Sequence, residues 1–335
     1  MRREKLALYG VIMAIIGVAS YLTGVVIAVP RRMLFGADFM LQLNEALVWY
    51  SGIPVLIGVS LILLDLFVLY PKKRTNEYIV HNPITNNRVT VVLTAYNDEA
   101  SIKLAVQDFQ SHPLVKRVIV VSNNSSDDTF AQAVEAGAIA FNEEMQGYGA
   151  CVYRALSEGV KFDDTELTVL CEGDMTFRAY DIDKFLAYIS HADIVSGTRI
   201  VEQLRAKDTQ LSTFMFYGNL FVAKLLEIKH LGNATLTDVG TTYKLCRNDA
   251  LKVLLPKLDK GINLEFNPYF LDRALENGFK AIECPITFHK RVGQSKGGNA
   301  NNFIAFRLGL RMMKGILIDW DKAPRRATSL TSVTK

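Results

Sequence analysis

The chain has 335 residues, with 38 Lys and Arg against 34 Asp and Glu for a net charge of +4; half of it is hydrophobic and 21% is charged. That composition excludes a disordered tail, a collagen and a disulfide scaffold, and the cationic excess is too small to build a nucleic-acid face. The length suggests about two structural units. Four cysteines (Cys151, Cys171, Cys246 and Cys284) lie far apart with no CxxC, which fits reduced cytosolic thiols and argues against zinc.

Leu6 to Val29 runs without a charged residue, and Ala46 to Tyr70 carries only Asp65. A bilayer core about 30 Å thick needs about 20 apolar helical residues, so both stretches predict transmembrane helices, at 6–29 and 46–70. The first run exceeds the 7–15 residues of a typical signal-peptide core. Trp49, Tyr50 and Tyr70 suit interfacial anchors. Arg2, Arg3 and Lys5 precede the first span, and Lys72, Lys73 and Arg74 follow the second, which places both flanks on the cytoplasmic side. Arg31 and Arg32 in the connecting loop oppose that orientation, and a re-entrant hairpin stays open. Asp65 lies within two helical turns of Lys72, so snorkelling toward the interface accounts for it.

Residues 75–87 read as a polar linker. From Arg88 the pattern changes to strands alternating with helices: RVTVVLTA (88–95), KRVIVVS (116–122), LTVLCE (167–172) and DIVSGT (193–198), with a helix over Gly149 to Gly159. Near-continuous Val, Ile and Leu runs separated by helical lengths predict a mostly parallel sheet covered on both faces. Ligands of such sheets bind beyond the carboxyl ends of the strands. The polar groups Tyr96 to Glu99, Ser122 to Asp127, Glu172 to Thr176 and Gly197 to Arg199 fall there.

Glu172-Gly173-Asp174 follows directly on a buried strand. Two carboxylates two residues apart can meet one hard divalent cation, Mg2+ or Mn2+, which would neutralise a diphosphate leaving group; an ordinary acidic turn is the alternative. Gln146-Gly147-Tyr148-Gly149-Ala150 opens a helix whose N–H groups could approach a phosphate. It is no GxxxxGK[ST] loop, which disfavours an ATPase. Asp238 to Lys244 (DVGTTYK) and Arg291 to Gly298 (RVGQSKGG) add an acid and several bases; with Arg199 they offer cations for an anionic substrate, or else they are solvated turns. Thr209 to Leu231 and Asn302 to Trp320 mix aromatic and aliphatic residues with bases. Arg307, Arg311 and Lys314 recur at spacings of four and three, as an amphipathic membrane-interface helix over 301–320 requires. The last fifteen residues, 321–335, read as a frayed tail.

In this order, TAYNDEASI (94–102), VVSNNSSDDT (120–129), QGYGA (146–150), EGDMT (172–176), SGTR (196–199), DVGTTYK (238–244) and CPITFHKRVGQSK (284–296) resemble a family 2 glycosyltransferase of the GT-A fold. Among such enzymes the motifs are similar to those of dolichyl-phosphate mannose synthases and bacterial polyprenyl-phosphate glycosyltransferases. The resemblance covers Arg88 to Gly298, and the GT-A domain is expected at 88–300. It implies that Ala95, Tyr96, Asn97 and Asp98 line the nucleotide pocket with Asn123 near the base. Gly147, Gly149 and Gly173 would take part in donor binding, with Glu172 and Asp174 as the metal-binding DxD variant. Arg199, Arg291, Ser295 and Lys296 would contact the diphosphate or the lipid phosphate, and Asp238 would lie by sugar and acceptor.

The chain departs from that pattern in several places. Ser122-Asn123 replaces an acidic pair, Glu172 replaces the first Asp of DxD, Lys244 replaces an Arg, only Ser212 and Thr213 stand where an Arg and Ser are usual, and the spans precede the domain. The implied activity is an inverting, metal-dependent transfer of one sugar from a UDP- or GDP-linked donor to a polyprenyl phosphate. Its setting would be a multi-pass membrane protein whose catalytic domain faces the cytoplasm. A lipid hydroxyl such as that of diacylglycerol as acceptor, an inactive scaffold, and a homo-oligomer stay open. Processive polymer synthesis is disfavoured, because the chain has no QxxRW motif.

Overall fold

The computed structural model describes residues 6–33, 38–69, 79, 81–293 and 302–320. Two compact units divide the chain: Met1–Tyr78 with Ile228–Gly232, and Ile79–Glu227 with Asn233–Lys335.

The first unit contains α1 (Leu6–Met33), α2 (Asp38–Tyr50) and α3 (Gly52–Leu64), ending in a π-helical turn over Asp65–Leu69. Leu6–Ala28 and Leu41–Leu69 are long and apolar enough to cross a membrane. The second stretch is interrupted between Tyr50 and Gly52. Pro54 lacks an N–H and its ring crowds the Tyr50 carbonyl, so α2 stops there. Gly10, Gly17 and Gly24 recur every seven residues along α1. A Cβ on Gly10 would lie 2.6 Å from the Gly58 carbonyl oxygen, and one on Gly17 would lie 2.6 Å from that of Ser51. The helices therefore meet backbone to backbone, the mode of packing that apolar solvent favours.

Asp65 caps a helix. Its carboxylate is buried and accepts the Ala7 N–H at 2.8 Å, capping the first turn of α1, whose N–H groups have no partners within the helix. Lys72, toward which Asp65 was expected to reach, lies outside the described residues, as do the basic flanks at 1–5 and 72–74.

The second unit holds a seven-stranded sheet of order β3-β2-β1-β4-β6-β5-β7. The strands are β1 (Val89–Ala95), β2 (Val115–Ser122), β3 (Ile139–Asn142), β4 (Leu167–Glu172), β5 (Ile194–Thr198), β6 (Lys244–Arg247) and β7 (Ala281–Pro285). All of β1 is buried, as expected of a central strand flanked by β2 and β4. The covering helices are α4 (Ile102–Gln110), α5 (Thr129–Glu135), α6 (Tyr148–Gly159), α7 (Ile182–Tyr188), α8 (Thr213–Lys229), α9 (Asn248–Leu254) and α10 (Phe266–Glu276); α11 (Asn302–Leu317) follows. Phe109 of α4, Phe185 of α7 and the ring of Tyr243 fill one face of the core.

One strand runs against the rest. β6 is antiparallel to both β4 and β5, with Lys244 opposite Leu170 and Ser196. Its first residue thus lies at the edge where the parallel strands end, so the segment 238–244 enters the polar side of the sheet together with residues 95–98, 172–176 and 198–199.

Candidate active site

A cleft of about 630 Å3 opens at the carboxyl ends of the strands. Ala95, Tyr96 and Asp98 after β1, Asn123 after β2, Gly147, Glu172 of β4, Arg199 after β5 and Arg291 line it. Asp174 and Asp238 are 1% and 3% exposed, each held against an arginine that does line it. Ser295 and Lys296 lie outside the described residues.

The β1 turn is built by its own polar groups. Asp98 Oδ2 accepts the Tyr96 N–H at 3.0 Å, and the Asp98 N–H donates to Thr129 Oγ1 at 2.7 Å. Asn97 adopts a φ of 51°, a left-handed conformation that Asn tolerates, and its Oδ1 accepts the Ser126 N–H at 2.8 Å. Asn123 stitches β2 to the glycine loop: its Oδ1 accepts the Gly147 N–H at 2.8 Å and its Nδ2 donates to the Met145 carbonyl at 2.8 Å. The Tyr148 N–H is taken by Asn263 Oδ1 at 2.7 Å. Gly149 faces Ile262, whose carbonyl oxygen would lie 1.6 Å from a Cβ. This glycine admits a neighbouring backbone.

Glu172 and Asp174 form an electrostatically unsatisfied pair. Burial first, and then the Asp174 charge, push the Glu172 carboxyl up to about 7. Asp174 Oδ1 accepts the Thr176 N–H and hydroxyl at 3.0 and 2.6 Å, while its buried Oδ2 accepts no hydrogen bond from any described residue. Arg291 faces that oxygen: its Nε stands 3.4 Å away and its Nη2 donates to Asp98 Oδ1 at 3.2 Å. Two close carboxylates with one orphaned oxygen fit a hard divalent cation, whose remaining positions would be filled by substrate oxygens and water. Among the described residues no group of three or more His, Cys, Asp and Glu is placed to hold a metal.

Asp238 is the opposite case. Its Oδ2 accepts the Arg199 N–H at 3.1 Å, Arg199 Nε at 2.6 Å and the Thr241 hydroxyl at 2.6 Å. Its Oδ1 accepts Arg199 Nη2 at 2.8 Å, the Gly240 N–H at 3.1 Å and the Asn219 amide. Burial alone would raise its pKa, yet Arg199 and these donors hold the carboxyl far below the ordinary range. Arg199 thus lines the cleft with two of its nitrogens already bound to Asp238. Glu283 of β7 fixes this arrangement from behind, accepting the Thr237 and Asp238 N–H groups, each at 2.8 Å.

Lys244 is fully buried, and burial pulls its ammonium down to about 8. Its Nζ donates to the Thr241 carbonyl and to Asn267 Oδ1. Thr242 donates to Glu172 Oε1 at 2.6 Å. The segment DVGTTYK contains Thr242 and Lys244, but its sequence does not reveal these partners. The sequence carries no signal at all for Asn219, Asn267 and Glu283, which stand on regular elements outside any motif.

Away from the carboxylates the cleft turns apolar, walled by Phe214, Met215 and Phe221 of α8 and by Phe306, Met312 and Met313 of α11. Phe303, Ile304, Phe306 and Leu310 of α11 and Tyr217 of α8 are exposed. Arg311 pairs with Glu265. The far end of α11 is docked on α10: Trp320 Nε1 donates to Asp272 Oδ2 at 2.6 Å and Arg273 pairs with Asp319 at 3.0 Å.

Comparison with known proteins agrees with this architecture. The model of glycosyl transferase family 2 matches residues 90–255. A dolichyl-phosphate hexose transferase of Haloferax volcanii is 28% identical over 213 residues, 63% of this chain and 87% of that protein. An uncharacterized glycosyltransferase of Mycobacterium bovis is 33% identical over 214 residues, 63% of this chain and 89% of that protein. Among solved structures, glucosyl-3-phosphoglycerate synthase from Mycobacterium tuberculosis, in complex with Mn2+, UDP and phosphoglyceric acid, shares the fold. Its TM-score is 0.51 at 15% identity, covering 70% of this chain and 80% of that one.

Proposed function

This chain belongs to glycosyl transferase family 2, and on that premise we propose that it transfers one sugar, with inversion, from a UDP- or GDP-linked donor to a polyprenyl phosphate. The observation that carries this reading is the two-ended cleft, with carboxylates and arginines at one end and Phe and Met side chains at the other. Such a cleft suits an amphiphilic acceptor: an anionic head at the reacting centre and a long apolar tail.

The state of Asp238 favours a phosphate acceptor over a hydroxyl. A hydroxyl acceptor needs a base, and a carboxylate that already accepts six hydrogen bonds, two of them from the Arg199 guanidinium, has little affinity for a proton. A phosphate monoester is largely ionised at neutral pH, with a second pKa of about 6, and needs none. Its oxygen attacks the anomeric carbon from the face opposite the diphosphate, the bond from that carbon to the leaving oxygen breaks, and no proton has to move. Asp238 and Arg199 then act as a fixed dipole beside the sugar, while Arg291 carries positive charge toward the diphosphate. Glu172 and Asp174 would hold Mg2+ or Mn2+, which when bound neutralises charge developing on the leaving group.

The two apolar helices would hold the protein in a membrane with both flanks cytoplasmic, and the exposed aromatic residues of α8 and α11 would enter its surface. The reading is tested by incubating purified protein and Mn2+ with a panel of nucleotide sugars and either polyprenyl phosphate or the neutral polyprenol and diacylglycerol. Mass spectrometry should find a glycosylated phosphate lipid alone; equal products on neutral lipids would overturn the phosphate assignment.

A further inference from the structure

Behind Glu172 lies a row of side chains drawn from three separate elements. Lys244 of β6 donates to Asn267 Oδ1 of α10 at 3.2 Å. A lysine can only donate, so the Asn267 amide must turn its oxygen to Lys244 and its NH2 away. That NH2 reaches the Tyr148 hydroxyl of α6 at 2.9 Å. Tyr148 Oη and Thr242 Oγ1 are 2.5 Å apart, and Thr242 Oγ1 is 2.6 Å from Glu172 Oε1. With Glu172 ionised its carboxylate only accepts, so Thr242 donates to Glu172 and receives from Tyr148, with the Asn267 amide a second donor at 3.3 Å. All four bonds therefore point the same way, from a buried cation to a carboxylate. Lys244, Asn267 and Thr242 are 0%, 6% and 1% exposed. A purely structural contact here would be served at less desolvation cost by apolar side chains.

We propose that Lys244, Asn267, Tyr148 and Thr242 form a one-directional chain of positioning residues that ties back Oε1 of Glu172 and leaves its second oxygen fixed for a divalent cation. This rests on the reading that Glu172 and Asp174 hold the metal. The chain gives the Lys244 charge an inward role: it acts through four hydrogen bonds on the geometry of a metal ligand. Tertiary support of this kind typically changes metal affinity about 10- to 100-fold.

The test is Mn2+ binding to the purified full-length chain with UDP or GDP, read by the electron paramagnetic resonance of free Mn2+. Thr242→Val should weaken binding about tenfold or more, Tyr148→Phe should weaken it less, and Thr242→Ser should restore it. The double variant Y148F/T242V should bind no more weakly than T242V alone, because both remove the same chain. In turnover, T242V should need more Mn2+ while kcat recovers at saturation. Wild-type affinity in T242V, or a fall in Tm with Mn2+ affinity unchanged, would overturn the chain while leaving the metal reading intact. If T242V does not fold, Tyr148→Phe, which removes one oxygen from a half-buried side chain, decides the same question. No Mn2+ binding by the wild type, or undiminished binding by Asp174→Asn, would sink the metal reading itself and the chain with it.

Discussion

Two buried carboxylate sites lie along the same edge of the sheet and are treated in opposite ways. Asp238 is enclosed by donors, with Arg199, Asn219, Thr241 and Gly240 supplying hydrogen bonds to both oxygens. Glu172 and Asp174 repel each other, and among the described residues Asp174 Oδ2 has a guanidinium nitrogen at 3.4 Å but no hydrogen bond. Burial raises the carboxyls of both Glu172 and Asp238, so the difference lies in what each neighbourhood returns. The first site is finished by the protein, with both oxygens of Asp238 already bonded. The second is left incomplete, which is the condition for taking up a cation.

The sharpest way to break this contrast is Asp238→Asn. It strands the buried Arg199 charge and should cost about 3–5 kcal/mol of stability by denaturant titration; a neutral result would mean that the pair is not the closed unit described. Asp174→Asn keeps the Thr176 bonds and removes one of two repelling charges. Its metal-free stability should hold or rise, while transfer falls about 10²- to 10³-fold, as when one preorganised electrostatic group is lost. Sustained wild-type turnover in excess EDTA would contradict the same idea.

Arg291→Ala should cost about 1.5–3 kcal/mol in transfer, or roughly ten- to a hundredfold, because its guanidinium is charge-paired with Asp98 and Asp174. An equal loss on charged and neutral acceptors would assign it to the donor. The smallest effect concerns pH. The Glu172 carboxyl is raised in the fold, so the folded protein binds this proton more tightly than the unfolded chain does. Metal-free stability should therefore fall as pH rises from about 4.5 through about 7, and Mn2+ with nucleotide should reverse the loss above that range. A flat Tm between pH 5 and 8 in EDTA would show that neither burial nor the Asp174 charge raises the Glu172 carboxyl.

The strands that announce themselves in sequence are those whose burial is apolar throughout: β1, β2, β4 and β5 appear as runs of Val, Ile and Leu. β6 was hidden because KLCR reads as half charged, yet all four residues are buried. Lys244 is satisfied by Thr241 and Asn267, and Arg247 by the carbonyls of Ala192, Ile189 and Asn82. A pattern of hydrophobicity cannot see partners supplied from distant segments. The direction of β6 was equally illegible, although it decides that Asp238 to Lys244 reach the site at all. The site shows the same division: acids and bases in ordered motifs could be named, whereas Asn219, Asn267 and Glu283 acquire their roles only through tertiary hydrogen bonds.

The outermost position of β7 has a consequence for how the enzyme fails. β7 pairs with β5 alone, its carboxylate Glu283 holds the Thr237 and Asp238 backbone, and the chain reaches Arg291 six residues after the strand ends. Outer strands belong to the regions that open by local unfolding at lower free energy than the whole domain. Detachment of this one strand would release the clamp on Asp238 and the cation beside Asp174 together, with β1, β2 and β4 still intact. Amide exchange in β7 should therefore run ahead of that in β1, and heat should silence the enzyme at a temperature where most of its sheet is still folded.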